Sequence, residues 1–423
     1  MTSLPRTIDT VVVGAGQAGL TMSRHLQRAG RDHVVLERRA TLGGGWQDRW
    51  DGFRLVGPNW TASFPDAPYD GPDPDGFMPR DEIVGRIAGY ARSIDAPVVL
   101  EASVERLRPD GSGGGFVLDT GHGPVAARQV VVATGGFHVP HVPAVAAGLS
   151  PRVTSLHAHD YRRPGDLPPG GVLVVGSGQT GVQLVEELVA AGREVFIAVG
   201  ATGRVPRRYR GRDIFFWLSQ LAERGEALGV ALPTVDQLPH PSRRLAGNPA
   251  LSGHGGGHET NVRAYGRDGA TLLGRVDAIA GERVRFAPGL RANLAMADRF
   301  FEERFREAVD EFITAAGIDA SPAEPPVTVD FEPAEVEELD LARSGIGTVL
   351  WTTGYRQSLG WIEPPITDEL GFARQVRGVS NVPGLFFIGS LWQHDQTSAT
   401  LVGLRRDAKF LAERMGLATA GDG

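Results

Sequence analysis

The sequence predicts an α/β protein built from two Rossmann-like dinucleotide-binding domains. Two glycine-punctuated segments carry that prediction, together with a length that accommodates both. The first is Thr10-Val-Val-Val-Gly14-Ala-Gly16-Gln-Ala-Gly19, followed by a helical pattern to Gly30 and a strand, His33–Glu37. The second is Val172-Leu-Val-Val-Gly176-Ser-Gly178-Gln-Thr180-Gly181, with a helix to Gly192 and a strand, Glu194–Val199. Each reads as strand, tight turn, helix, strand, and the short β-branched runs suit strands buried on both faces of a parallel sheet. At 423 residues the chain has room for two such units with real cores.

In the first unit, Gly14, Gly16 and Gly19 allow a tight turn, close approach of backbone to a pyrophosphate, and close helix–strand packing. The helix N-terminus behind them favours an anion. Such a fingerprint can be a plain turn. Here it follows a strand, opens a helix, and the next strand ends in Glu37, about 20 residues on, where a carboxylate can accept hydrogen bonds from a ribose diol. Gly43-Gly44-Gly45-Trp46 comes next and reads either as a loop or as part of the site. A small antiparallel element is expected at about 98–120, with Gly111–Gly115 as its hairpin loop, and Gln129–Gly135 reads as a buried strand ending in a small-residue turn.

The second fingerprint lacks the acid. Its second strand leads instead into Gly200-Ala-Thr202-Gly-Arg204-Val-Pro-Arg207-Arg208-Tyr-Arg210. Losing the carboxylate and gaining guanidinium groups is what a ribose 2′-phosphate requires, so Arg204 and Arg207 point to NADPH over NADH. The alternative is a solvated basic loop. Farther on, Leu294, Ala297, Phe301, Phe305, Ala308 and Phe312 recur at helical spacing. Thr348–Gly354 gives a second Thr-Gly strand end, Leu385–Gly389 another strand, and a terminal helix is expected from about Ala399 to Met415. His254 and His258 flank three glycines, which argues against a helical metal pair and for a loop, and no metal is assigned.

Composition excludes several classes. With no cysteine, disulfide frameworks, thiolate metal sites, iron–sulfur clusters and cysteine nucleophiles are out, so a redox enzyme of this chain must borrow its electron carrier. A net charge of −7 gives no basic excess for nucleic acid. No apolar run approaches the roughly 18 residues needed to span a bilayer. The strand pattern starts by Thr10, so no secretory leader, a cytoplasmic location and no membrane partner are expected.

Taken in order, these motifs resemble the class B flavin-dependent monooxygenases, including bacterial proteins similar to the vertebrate flavin-containing monooxygenases. The resemblance rests on the first fingerprint with Glu37, on Gly43/Gly44 to Trp46, and on Ala133-Thr134-Gly135 followed by Pro140 and Pro143. It continues through the second fingerprint, Thr353-Gly354-Tyr355-Arg356, and Pro383-Gly384-Leu385-Phe386-Phe387-Ile388-Gly389. It implies an FAD-binding domain over 1–150 that returns over 346–423, interrupted by an NADPH-binding domain over 151–345 with a subfamily insertion at about 204–330. By the same resemblance Gly14, Gly16, Gly19, Glu37, Arg38, Gly44, Trp46, Val104, Thr134, Gly135 and Gly389 would hold FAD. Gly176, Gly178, Thr180, Gly181, Arg204 and Arg207 would hold NADPH, and Asn59 would be the active-site polar group facing the flavin.

The implied reaction is insertion of one atom of O₂ into a small organic substrate through a C4a-peroxyflavin, by N- or S-oxygenation or hydroxylation. A homodimer is compatible with this reading. The family signature Phe-x-Gly-x-x-x-His-x-x-x-Phe/Tyr survives here as His157 and Tyr161, with Pro151 and Val153 in place of Phe and Gly. Baeyer–Villiger oxygenation of a ketone stays as an alternative weakened by the missing Trp. An NADPH oxidase or flavin reductase releasing peroxide, and a flavin-based redox sensor, also fit the motifs. A disulfide reductase does not, for want of cysteines.

Overall fold

The computed structural model describes residues 4–417 except 112, 246, 247 and 364, so Ser112 of the expected hairpin loop lies outside the described residues. Along the first unit run β1 (Thr7–Val13), α1 (Gln17–Arg28) and β2 (His33–Leu36). After them come α2 (Arg80–Ser93), β3 (Val98–Val99), an antiparallel pair β4 (Val104–Pro109) and β5 (Phe116–Thr120), and β6 (Val125–Val132). The chain then crosses over through β7 (Val139–Pro140) and β8 (Thr154–His157) into β9 (Gly171–Val175), α3 (Gln179–Ala190) and β10 (Val195–Ala198).

Two sheets result. The first has nine strands, with β3, β2, β1 and β6 side by side and Leu385–Phe387 added beside β6. The second has five, in the order Thr271–Leu273, β10, β9, Ile346–Trp351, β8. In both, the strand before the glycine turn lies centrally and pairs in parallel with the strand after the helix: Val12 sits opposite Val35, and Val174 opposite Ile197. Val11, Val12, Val130, Val131, Val172 and Val174 are fully buried. Rigid β-branched side chains fill both faces of such a sheet without a polar atom to satisfy.

Two expectations need correction. The strand Ile346–Trp351 pairs in parallel with β9 and with β8, so the expected boundary between 345 and 346 falls one strand too early. Its Thr-Gly ending suggested the first sheet because both sheets use that ending. The long amphipathic pattern is also two helices, Leu290–Arg304 and Arg306–Ala315, broken at Phe305 (φ −126°, ψ −34°). Phe301, Phe305, Val309 and Phe312 still share one buried face, so the apolar stripe continues through the break. The terminal helix spans Leu401–Arg414, with the Thr400 hydroxyl capping its N-terminus. Among the described residues no helix is long and apolar enough to cross a membrane.

The first unit rests against a buried polar contact of the second. Tyr161, almost fully enclosed, donates its hydroxyl to Glu187 of α3 at 3.1 Å. Gly52 of the first unit lies against the same carboxylate, and a Cβ there would stand 2.6 Å from Glu187 Oε2. Burial, with Asp51 nearby, pushes the Glu187 carboxyl above the usual range against the hydrogen bonds it accepts. Tyr161→Phe is expected to cost about 1–3 kcal/mol, because it strands a buried acceptor instead of removing both partners. Urea unfolding of the variant beside the unaltered protein checks this, and an unchanged midpoint would remove the contact from the structural account.

Candidate active site

Both glycine turns have the same geometry. Gly14 (φ +107°) donates its N–H to the Leu36 carbonyl at 2.8 Å, and Gly176 (φ +116°) donates to Ala198 at 3.0 Å. A Cβ at Gly19 would lie 1.8 Å from the Gly14 oxygen, and one at Gly181 would lie 2.0 Å from the Gly176 oxygen. The helix can therefore rest on the turn only without side chains there. The middle glycines differ in kind. A Cβ at Gly178 would meet nothing within 4 Å, and one at Gly16 only Gly44 Cα at 3.7 Å.

Those two positions open outward instead of against protein. They also cap helices of 12 residues that carry no side-chain cap, so the first-turn N–H groups, including those of Gln179 and Thr180, need another acceptor. A diphosphate suits that need.

Around the first turn the site is further built. Glu37, buried, accepts from the Ala15 N–H at 2.9 Å and from the Arg39 N–H at 3.0 Å, which fixes its carboxylate beside Gly14–Gly16. Ala102 donates its N–H to the Glu37 carbonyl, bringing the start of β4 at Val104 alongside. Gly43 (φ +132°) and Gly44 (φ +55°) fold back on the turn, where a Cβ at Gly44 would stand 3.0 Å from Gly16 Cα. Trp46 donates its indole N–H to Gln17 Oε1 at 2.9 Å, tying this loop to the start of α1. Gly389 (φ +78°) sits where a Cβ would be 2.8 Å from Ala18 Cβ, and Ala133 O, just before Thr134 and Gly135, would be 2.7 Å from a Cβ on Gly14. Arg38 is exposed.

Three expected site residues are otherwise engaged. Asn59 is buried, with its Nδ2 donating to the Asp73 carbonyl at 2.8 Å and its Oδ1 accepting from the Met78 N–H at 2.6 Å. Both amide atoms clamp a loop, and neither is left to face a ligand. Arg204 is held by Glu259 at 2.7 Å and Asp298 at 3.0 Å, and Arg207 by Asp213, with its guanidinium 4.6 Å over the Phe77 ring. The basic run read from the sequence is thus largely neutralised, by Glu259, Asp298 and Asp310 from far along the chain and by Asp213 six residues beyond Arg207.

The structure adds residues that the sequence did not single out. Ser177 and Thr202 share a cavity of about 20 Å³ with Thr260, Asn261 and Arg263. Thr260 Oγ1 and Asn261 Nδ2 are enclosed there without a hydrogen-bond partner among the described residues. Only the His254–Glu259 cluster beside them gave a signal, and it concerned metals.

His157 and Tyr161 hold the crossover. Besides the Tyr161 contact, His157 Nε2 lies 3.1 Å from the Gly354 carbonyl, and its ring packs edge-on to Tyr355 at 5.2 Å.

A family model of the pyridine nucleotide-disulphide oxidoreductases matches residues 11–219, across both fingerprints. The chain is 28% identical over 406 residues to an oxidoreductase, CzcO-like, of Geobacillus kaustophilus, covering 96% of this chain and 97% of that one. It is 29% identical over 208 residues to indole-3-pyruvate monooxygenase YUCCA1 of Oryza sativa, covering 48% of this chain and 51% of that one. The flavin-containing monooxygenase of Stenotrophomonas maltophilia superposes with a TM-score of 0.67 at 18% identity, over 97% of this chain and 99% of that one. The chain is therefore similar over nearly its whole length to CzcO-like oxidoreductases and over about half of it to flavin monooxygenases, and it shares their fold. Those relatives bear the names of oxidoreductases and monooxygenases, and this chain, lacking cysteine, has no dithiol of its own.

Two outcomes follow from this geometry. Gly181→Ala should destabilise the protein by about 1–3 kcal/mol or prevent folding, since its clash is with backbone. Gly178→Ala should cost at most about 1 kcal/mol yet weaken NADP⁺ binding about tenfold. Thermal melts and NADP⁺ titrations of both variants separate the two effects, and an unaltered NADP⁺ affinity in Gly178→Ala would place the ligand elsewhere.

The second concerns Glu186 on α3, which accepts from His258 Nε2 at 2.8 Å, Ser252 at 2.5 Å and Tyr265 at 2.7 Å. Burial draws the Glu186 carboxyl upward, but these donors outweigh it and hold it below the usual range, while the Glu186 hydrogen bond raises His258. The pair therefore stabilises the fold fully above the ordinary glutamate value of 4.5 and below the ordinary histidine value of 6.5. Its contribution falls as pH rises through the elevated histidine value. Between about pH 6 and about pH 8.5 the melting temperature should drop more for the unaltered protein than for His258→Gln; parallel curves would exclude the pair as the cause.

Proposed function

We propose that this chain is an FAD-dependent, NADPH-using monooxygenase that inserts one atom of O₂ into a small organic substrate. The observation that carries the reading is the duplicated outward-facing glycine turn, with a Glu37-type acid at the first copy and none at the second. Gly14, Gly16 and the open first turn of α1 would hold the FAD diphosphate, and Glu37 the adenosine ribose. Gly176, Gly178 and the start of α3 would hold that of NADPH, with Ser177, Thr202, Thr260 and Asn261 around its adenosine end.

Arg204 lines that same cavity, so a 2′-phosphate arriving there would compete with Asp298 and Glu259 for it. When bound, the two cofactors supply the hydride and the activation of oxygen, which is chemistry no side chain here provides. The protein's part is placement and exclusion of water. Trp46 fixes the loop over the first turn through Gln17, and Tyr355 with Phe137 packs the crossover. The relatives' activities support this class of reaction, since YUCCA1 is an indole-3-pyruvate monooxygenase.

The purified protein should be yellow and carry one FAD per chain. Its NADPH consumption should release peroxide when no substrate is present. A panel of amines, sulfides and ketones should then contain at least one compound that suppresses peroxide and yields an oxygenated product. Stoichiometric peroxide with every compound would replace this reading with an NADPH oxidase.

A further inference from the structure

Arg49 follows the Trp46 turn, and its backbone is fixed on both sides. Its N–H donates to the Trp46 carbonyl at 3.2 Å, and its carbonyl accepts from Arg80 at 2.8 Å. The guanidinium lies 4.5 Å over the Phe137 ring and 5.7 Å over Phe53, between a loop of the first unit and the crossover to the second. Phe137 in turn meets Tyr355 edge-on at 5.1 Å, and Tyr355 packs on His157 and His159.

What sets Arg49 apart is that its guanidinium lacks both a counterion and a hydrogen-bond acceptor. Among the described residues its guanidinium makes no ion pair and no hydrogen bond, and its Nε is enclosed with no partner. Other arginines withdrawn from solvent have partners: Arg204 has two carboxylates, Arg207 has Asp213, Arg263 has Asp298, and Arg406 has Asp395 and Asp407, while Arg162 and Arg193 donate to the His159 and Leu167 carbonyls. The two acidic groups nearest Arg49 do not serve. Asp48 is held in a two-point contact by Arg39, at 3.0 and 2.6 Å, and burial holds the Tyr355 phenol well above its usual value, so it is neutral. Burial also presses the Arg49 pKa downward, a measure of how poorly its charge is solvated, though an arginine stays protonated throughout the working range. Two ring faces offset part of that cost. The rest of the fork is open to an acceptor arriving from outside, since the residue keeps partial exposure.

We propose that Arg49 is an anion-recognition residue at the crossover, receiving an oxyanion of a bound molecule beside the Phe53 and Phe137 rings. A planar guanidinium between aromatic rings suits a carboxylate on an apolar or aromatic substrate, bound through two parallel hydrogen bonds. The same chemistry is met by the diphosphate of a nicotinamide coenzyme. Because the crossover is taken as the approach to the redox site, this inference rests on the function proposed above.

The test uses calorimetric titration of the purified full-length protein with phenylacetate, its neutral counterpart phenylacetamide, and inorganic pyrophosphate. Phenylacetate should bind about tenfold or more tightly than phenylacetamide. Arg49→Gln should erase that difference, and Arg49→Lys, which keeps the charge but not the fork, should retain only a minor part of it. If phenylacetate shows no preference but pyrophosphate weakens about tenfold in Arg49→Gln, the oxyanion is the coenzyme's and the assignment to Arg49 stands. Unchanged binding of both probes in a folded Arg49→Gln, judged by its melting temperature, overturns the proposal and leaves a packing arginine. Should Arg49→Gln not fold, Arg49→Lys alone decides: full retention of the phenylacetate preference overturns it. Flavin content is measured on the same samples. A protein without flavin would sink the monooxygenase reading while leaving the calorimetric difference between the two probes intact.

Discussion

The structure depends on one close approach made twice: a helix set directly on the carbonyl of the glycine that turns the strand into it. At Gly19 and Gly181 the space left for a side chain is under 2.1 Å from the oxygens of Gly14 and Gly176. The approach aims the helix axis at the end of the central strand. It also leaves the first-turn amides uncapped and facing outward, beside a middle glycine with no protein in front of it. A sheet buried on both faces holds this arrangement rigid, since moving the helix would open contacts to Val12, Val131, Val172 and Val174, all without solvent exposure. The uncapped amides and the open face are two consequences of one steric fact, so the binding potential was built with the fold.

The second copy is useful only if it faces the first, and that relation rests on different physics. No repeat of sequence specifies it. It is carried by an apolar core common to both units, in which Trp50, Phe53 and Leu55 join Leu184, Val185 and Leu188, by Gly52 against Glu187, and by Val139–Pro140 pairing with Tyr355–Arg356. These contacts link segments long separated in sequence.

What the sequence made legible follows from the range of the interactions involved. The glycine turns, the β-branched central strands and the position of Glu37 are local consequences of residue type and spacing, and all appear where expected. Local pattern did not show the partners of Arg204 and Arg207. Asn59, which the resemblance set facing the flavin, has both amide atoms engaged by Asp73 and Met78. The arginines read as free charge until Asp298, 94 residues away, and Glu259 reach Arg204. The strand at 346–351 carries the same Thr-Gly ending as β6, and only its pairing with β8 and β9 assigns it. Local patterns give the elements and the ligand-facing backbone; the state of a charge is set by partners that only the tertiary fold supplies.

That distinction bears on where chemistry can reside in this chain. With no cysteine and the arginine-rich segment after β10 largely balanced by carboxylates, the protein offers few reactive or uncompensated groups of its own. A borrowed electron carrier is then a requirement, and the backbone turns are the means of holding it. Specificity toward the molecule being oxidised must come from the few side chains whose polar capacity is left unspent. Thr260 and Asn261 sit beside the second glycine turn, and Arg49 sits on the crossover between the sheets. Each is costly to enclose without a partner. Thr260 and Asn261 leave that capacity beside the second turn and Arg49 leaves it at the crossover, where a ligand held by the turns would meet it.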